Sequence, residues 1–442
     1  MSFRTFSRPL SASLLALSTV LFLSDLASAQ NCDNTSTGRV PLLDMGVATY
    51  QGHEAGLYPG STNLRTLSHL ASGLLEAQGV VPRLADGTPD SQGRIVLVSI
   101  GMSNTNQEFG TFVDLVNADA DVSSRVKVVN GAQGGQTAAT ISNPLAAFWG
   151  NVDQKLGQAG VTPEQVQVVW LKEANARPME PFPQHAEILQ GQLGAIMGII
   201  RDRYPNTRLA YCSSRIYAGY ATTELNPEPY AYESGFSVRW LIEDQMAGDP
   251  VLNFDATAGP VEAPWISWGP YLWADGLTPR SDGLVWECSD LSSDGTHPAG
   301  SGRQKVAAML LDFFKTDATT RGWFLGDSAA SFAFEQDALV GGARTEFRGA
   351  DVSPGDEVVF FGTRFGEGMG PCPPPFGGLC LGLLAPVKEI GRATADASGI
   401  AFLTRRIPRR GAGIEVHTQA VVSRGAASLA SRVIRSRVLP GN

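Results

Sequence analysis

Ile95-Val96-Leu97-Val98-Ser99-Ile100-Gly101-Met102-Ser103-Asn104-Thr105 is the stretch that decides the fold of this chain. Its first six residues are almost wholly apolar and carry no charge, the texture of a strand buried on both faces. Gly101 breaks the run, and an amphipathic pattern over residues 109–116 predicts a helix after the turn. A buried strand, a tight turn and a helix form the repeating unit of a parallel sheet.

Working outward, the same alternation continues from Arg94 to Lys315. Further strands are predicted at 126–130, 166–171 and 209–212, with helices at 184–204, 230–246 and 302–314. The implied fold class is α/β, a three-layer α/β/α domain over 94–318 with helices on both faces of the sheet. A linker is expected over 319–331, where the texture changes. Short β-rich pieces follow at 344–348, 357–362, 400–404, 414–422 and 433–438. Turn sequences such as Ser353-Pro354-Gly355-Asp356 and Asp396-Ala397-Ser398-Gly399 separate them. Residues 332–442 therefore read as a small all-β sandwich. Residues 30–93 hold one helix signal, 64–77, and are expected to pack on the α/β domain.

The N-terminus has the pattern of an export signal over residues 1–29. Arg4 and Arg8 precede an apolar stretch from Leu14 to Leu23, and Ala27-Ser28-Ala29 precedes Gln30. The expectation is a secreted protein, cleaved near Ala29. The 442 residues carry a net charge of −9 and 43% apolar residues. That balance argues against nucleic acid or an anionic membrane surface as partner, since both reward basic stripes. No later segment is long and apolar enough to span a membrane.

Export permits disulfides. Cys372 and Cys380 flank a Pro/Gly-rich loop and are expected to pair; Cys212 with Cys288 is the second expected pair, leaving Cys32 free. No Cys/His spacing suggests a metal site, and no cofactor is implied.

Four motifs fall where a parallel sheet gathers its ligands, at the carboxyl ends of strands and before the last helix. They are Gly101-Met102-Ser103-Asn104, Asn130-Gly131-Ala132-Gln133-Gly134-Gly135-Gln136-Thr137, Lys172-Glu173-Ala174-Asn175 and Asp294-Gly295-Thr296-His297. Each alone has an ordinary reading: Ser103 as a helix cap, Gly135 as a turn, Asn175 as a loop closure, Asp294 as a local cap. Together they offer a hydroxyl nucleophile, backbone and amide donors, and a base with its orienting carboxylate.

In order and placement the four motifs resemble the SGNH (GDSL-like) hydrolase superfamily, over roughly half the chain. Met102 stands where many members have Asp, so the first motif is closer to the Gly-x-Ser-Asn of carbohydrate acetylesterases. Ala176 stands where Asp is usual after the third-motif Asn. The resemblance implies a flavodoxin-like sheet. It also implies a Ser103 nucleophile, His297 as base oriented by Asp294, and an oxyanion hole from the N–H groups of Ser103 and Gly135 and the amide of Asn175. The C-terminal region resembles Ig-like add-on domains of secreted proteins.

The expected function is ester hydrolysis through an acyl-serine, removing acetyl groups from an acylated small molecule or polysaccharide. An SGNH-type O-acyltransferase and an inactive surface or glycan-binding protein remain open as alternatives. Asn104, Arg177, Trp265, Trp268, Tyr271 and Trp273 are further candidates for substrate contact. For the four aromatics, packing of the segment before His297 is the favoured role. The C-terminal domain is a candidate for surface or glycan contact.

Overall fold

The structure is a computed structural model that describes residues 1–2, 30–326 and 332–441. Residues 3–29 of the expected signal segment and 327–331 of the expected linker lie outside the described residues. Five parallel strands form the central sheet: β1 (Ile95–Gly101), β2 (Val126–Asn130), β3 (Val166–Lys172), β4 (Leu209–Cys212) and β5 (Trp265–Trp268). Their spatial order is β2-β1-β3-β4-β5. This is the flavodoxin-like doubly wound arrangement, whose order reverses between β1 and β3. Every residue of β1, β3, β4 and β5 is buried, as strands covered on both faces require.

The helices are α1 (Leu67–Gln78), α2 (Ser103–Ala118), α3 (Ala138–Ile141), α4 (Ala147–Gln158), α5 (Gln184–Arg203), α6 (Tyr230–Met246), α7 (Gly300–Thr316) and α8 (Arg321–Phe324). From β1 the chain turns one way through α2 to β2, then back past β1 through α4 to β3. Right-handed crossovers therefore put α2 on the face opposite α4, α5 and α6. The packing agrees: α2 lies against α7, and α5 against α6. Among the described residues, no helix is long and apolar enough to cross a membrane.

The β domain follows as two antiparallel sheets. Its strands are β6 (Ala333–Gln336), β7 (Arg344–Ala350), β8 (Glu357–Thr363), β9 (Lys388–Thr394), β10 (Ile400–Arg406), β11 (Glu415–Ser423), β12 (Leu429–Ala430) and β13 (Ile434–Arg437). One sheet has the order β10-β7-β6; the other runs β9-β8-β11-β12, with β13 also pairing β11. Phe334, Phe347 and Leu403 from the first share one core with Val358, Phe360, Ala420 and Val422 from the second. Alternate residues face inward, which is the packing of a sandwich.

Helix α1 sits between the two domains. Thr66 caps it by accepting from His69 N, and Leu70 and Leu74 join Ala333, Ala350 and Ile400 of the β domain in a separate small core. On its other side a Cβ at Gly73 would lie 2.4 Å from the Trp265 ring, so α1 touches β5 closely. The stretch expected as a linker is partly folded: α8 carries Trp323 and Phe324 into the α/β core.

Cys32 is bonded to Cys288 across 256 residues of sequence, and Cys212 is the free thiol. This corrects the expected Cys212–Cys288 pair and the expected free Cys32. Cys212 ends β4 inside the sheet, where burial raises its thiol pKa. Cys32 is carried to Cys288 by backbone bonds from Gln30 N to Ser293 O (2.7 Å) and Asn31 N to Tyr220 O (2.9 Å). The Cys372–Cys380 bridge is closed as expected.

Candidate active site

The carboxyl ends of β1 and β3, at the reversal of strand order, form the floor of the site. A Cβ at Gly101 would lie 2.3 Å from Lys172 O and 2.6 Å from Thr105 Oγ1, so only glycine lets β1 turn this close to β3. Thr105 Oγ1 donates to Lys172 O at 2.6 Å and fastens the start of α2 to the same strand. Ser103 is thereby the first residue of α2, preceded by Met102, which has no side-chain capping bond. At that position its N–H has no acceptor within the helix, and the positive end of the helix dipole falls on the serine.

Below the serine, Lys172 Nζ lies 2.6 and 2.5 Å from the two Glu108 oxygens, with both side chains fully buried. Burial pulls Lys172 down to about 8, against the opposing pull of Glu108.

The fourth motif closes on the serine from the loop before α7. His297 Nε2 lies 2.7 Å from Ser103 Oγ, and His297 Nδ1 lies 2.6 Å from Asp294 Oδ2. Because Nδ1 faces a carboxylate it carries the proton, leaving Nε2 to accept from the serine hydroxyl. The other Asp294 oxygen accepts from His297 N and Thr296 N, both at 3.0 Å. Partial burial raises the Asp294 carboxyl, but hydrogen bonds from the His297 ring and from these two backbone groups outweigh it, and its pKa falls below the ordinary value. Gly295 allows the turn: its φ is +63°, and a Cβ there would lie 2.0 Å from Tyr220 O.

The second and third motifs complete the wall. Gly135, at φ +75°, lines the same cavity as Ser103, and a Cβ at Gly134 would lie 3.8 Å from Ser103 Cβ. Asn175 also lines it. Its Oδ1 accepts from Ala139 N (3.0 Å), and its Nδ2 donates one hydrogen to Gln192 Oε1 (2.6 Å). A primary amide has two hydrogens, so one remains for a ligand. The cavity is about 250 Å³. A larger cleft of about 400 Å³ lies between the two domains, lined by ion pairs, and contains none of the four motifs.

The other sequence candidates fare differently. Asn104 lines the cavity, but its Nδ2 donates to Thr296 O at 3.0 Å, tying α2 to the His297 loop. Arg177 forms an exposed pair with Glu224 at 3.0 Å, outside the cavity lining. Trp265, Trp268, Tyr271 and Trp273 are 0, 2, 3 and 0% exposed, which corrects their candidacy as substrate platforms. Trp265 and Trp268 bound β5. Trp268 Nε1 donates to Leu57 O (2.7 Å), Trp273 Nε1 to Glu228 Oε1 (2.8 Å), and the Tyr271 hydroxyl accepts from Leu42 N (3.3 Å). These are packing residues.

Three cavity residues escaped the sequence argument: Leu225, which is exposed, and two buried polar residues. Arg215 follows the carboxyl end of β4, and Asn226 precedes α6; both line the cavity and both are buried. The signal available was position alone, since residues just past a parallel strand face the crevice.

No protein-family model and no curated protein matches the sequence. Among solved structures, a carbohydrate acetylesterase from Xanthomonas citri is similar at 11% identity and a TM-score of 0.28, covering 74% of this chain and 75% of that one. A calcium-binding mutant of Bacteroides uniformis beta-glucuronidase 2 is similar at 10% identity and a TM-score of 0.18, covering 66% and 40%. Neither likeness is close enough to carry an argument about this chain.

Proposed function

We propose that the protein is an exported serine esterase of the SGNH type that removes acetyl groups from carbohydrate through an acyl-serine intermediate. The observation that carries this reading is the unbroken contact chain Ser103 Oγ–His297 Nε2–His297 Nδ1–Asp294 Oδ2, set at the N-terminus of α2 in an open cavity.

In this mechanism Ser103 Oγ attacks the ester carbonyl while His297 Nε2 takes its proton. Charge then develops on the carbonyl oxygen. The N–H groups of Ser103 and Gly135 and the second amide hydrogen of Asn175 meet it, reinforced by the α2 dipole. His297 returns the proton to the leaving alcohol. Water, deprotonated by His297, then attacks the acyl-serine and releases the acid. Asp294 stays ionised and holds the imidazole in the required tautomer. Two disulfides are compatible with export to an oxidising compartment.

The test is acetate release from p-nitrophenyl acetate and acetylated xylan by the mature protein, Ser103→Ala and His297→Ala. Turnover should fall by roughly 10⁴-fold or more in each folded variant. Turnover retained by Ser103→Ala would place the chemistry elsewhere. Acyl groups moved to a sugar hydroxyl with little free acetate would replace hydrolysis by transfer.

A further inference from the structure

Arg215 is an arginine with nothing to hold. It is 1% exposed, yet its Nε and Nη2 are buried without a hydrogen-bond partner, and among the described residues its guanidinium makes no hydrogen bond or ion pair. Burying a charge without a partner is costly enough that proteins rarely retain it without a compensating group. The surrounding carboxylates do not supply that group directly. Glu108 is engaged by Lys172 and Asp294 by His297. Glu228 accepts from Trp273, Ala218 and Tyr232. Glu173 accepts from Ala174 N through one oxygen and leaves the other buried without a hydrogen bond, and burial raises its carboxyl well above the usual carboxylate range although Ala174 N and the charge of Arg215 oppose the shift.

Arg215 nevertheless lines the cavity that contains Ser103 and His297, and no Asp or Glu lines that cavity. Asn226, on the same cavity, has a buried Oδ1 that accepts nothing, while its Nδ2 is committed to Asn175 O at 3.2 Å. The site therefore presents an unmatched fork of donors with an unmatched acceptor in the same cavity. A carboxylate fits the fork, since guanidinium and carboxylate meet in two parallel hydrogen bonds. A neighbouring hydroxyl on the same ligand fits the acceptor.

We infer that Arg215 is a specificity-determining residue that binds a carboxylate carried by the substrate, so that the preferred ester is acidic. The claim about esters rests on the esterase reading above; the claim about carboxylate binding does not. The carboxylate has two possible sources, the acyl group or the alcohol, and the experiment separates them.

The experiment measures kcat/KM of the mature protein, Arg215→Met and Arg215→Lys on two substrate pairs. The first is p-nitrophenyl hemisuccinate against p-nitrophenyl butyrate, with the carboxylate on the acyl side. The second is acetylated glucuronic acid against acetylated glucose, with the carboxylate on the alcohol side. The wild type should prefer the acidic member of one pair by roughly ten- to hundredfold. Arg215→Met should erase that ratio, chiefly through KM. Arg215→Lys should keep part of it, because the charge remains and the fork is lost. An acidic-to-neutral ratio unchanged by Arg215→Met, or no preference in either pair, would overturn the inference and leave Arg215 a structural charge.

A second measurement is independent of turnover and needs no variant: calorimetric titration of the wild type with succinate and with glucuronate. Saturable binding of either acid, with the neutral amide of the same acid silent, supports the inference even if no ester is hydrolysed. Absence of binding by both acids overturns it even if esters are hydrolysed.

Discussion

Asn175 is held from two sides. Ala139 N occupies its carbonyl and Gln192 takes one of its amide hydrogens, so the remaining N–H is fixed in direction before a substrate arrives. A preorganised donor of this kind acts on the transition state more than on the bound ester. Asn175→Ala should therefore lower kcat by about 10²–10³-fold with little change in KM, read from steady-state kinetics. A loss confined to KM would show that Asn175 binds substrate without serving the oxyanion. At this scale the sequence is informative where residues come in ordered motifs: the motifs carry a family resemblance, and that resemblance, rather than the spacing of any one residue, implies the roles of Ser103, Gly135, Asn175, Asp294 and His297. It was silent on Arg215 because one arginine after a strand has no distinguishing neighbours. It left the aromatics with packing favoured over substrate contact, because an aromatic run reads the same whether it forms a platform or, like Trp265 to Trp268, a buried edge strand.

Among the elements, α1 carries a titrating group into the core. His69 stacks on Trp265 with ring centroids 4.7 Å apart, and its Nε2 lies 2.9 Å from Ile266 O. Burial chiefly, with Arg65 nearby, lowers its pKa to about 4 although the bond to Ile266 opposes this. The unfolded chain protonates this histidine near pH 6.5, whereas the folded chain resists until about pH 4. Stability from this group is thus complete above pH 6.5 and falls as pH drops toward 4, by about 3 kcal/mol at most. Denaturant unfolding of wild type and His69→Gln at pH 7 and pH 4.5 checks this. The variant should lose less stability on acidification, and parallel losses would contradict the assignment. Most elements were legible because β1 and β3 are nearly uninterrupted apolar runs and the long helices have a clear period. β5 was not, because four residues between Pro264 and Gly269 are too few to show a period. α4 was missed because Gly150 and Gly157 dilute its apolar stripe.

Across the whole molecule, Arg65 joins pieces far apart in sequence. Its Nη2 pairs with Asp317 at 2.8 Å and its Nη1 with Glu335 of β6 at 3.3 Å, while Nε donates to Ser267 of β5 at 2.8 Å. Arg348 of β7 in turn donates to Arg65 O. Removing this guanidinium would strand two largely buried carboxylates at the junction of the α/β and β domains. Arg65→Ala should cost about 3–5 kcal/mol and loosen the junction, seen as a lower and broader calorimetric transition. An unchanged single transition would mean that α1 and its apolar contacts hold the domains without the ion pairs. The Cys32–Cys288 bridge belongs to this scale too, and sequence could not give it. The partner of Cys32 is set by where the N-terminal segment crosses the loop before α7, a contact with no local signature.

The central claim is that Ser103 is a nucleophile activated by His297. The most direct test is labelling of the mature protein with a fluorophosphonate, followed by peptide mass mapping. The account predicts one modified residue, Ser103, with labelling slowed by at least about 10²-fold in His297→Ala. Labelling at another serine, or labelling of Ser103 at the same rate without His297, would contradict it.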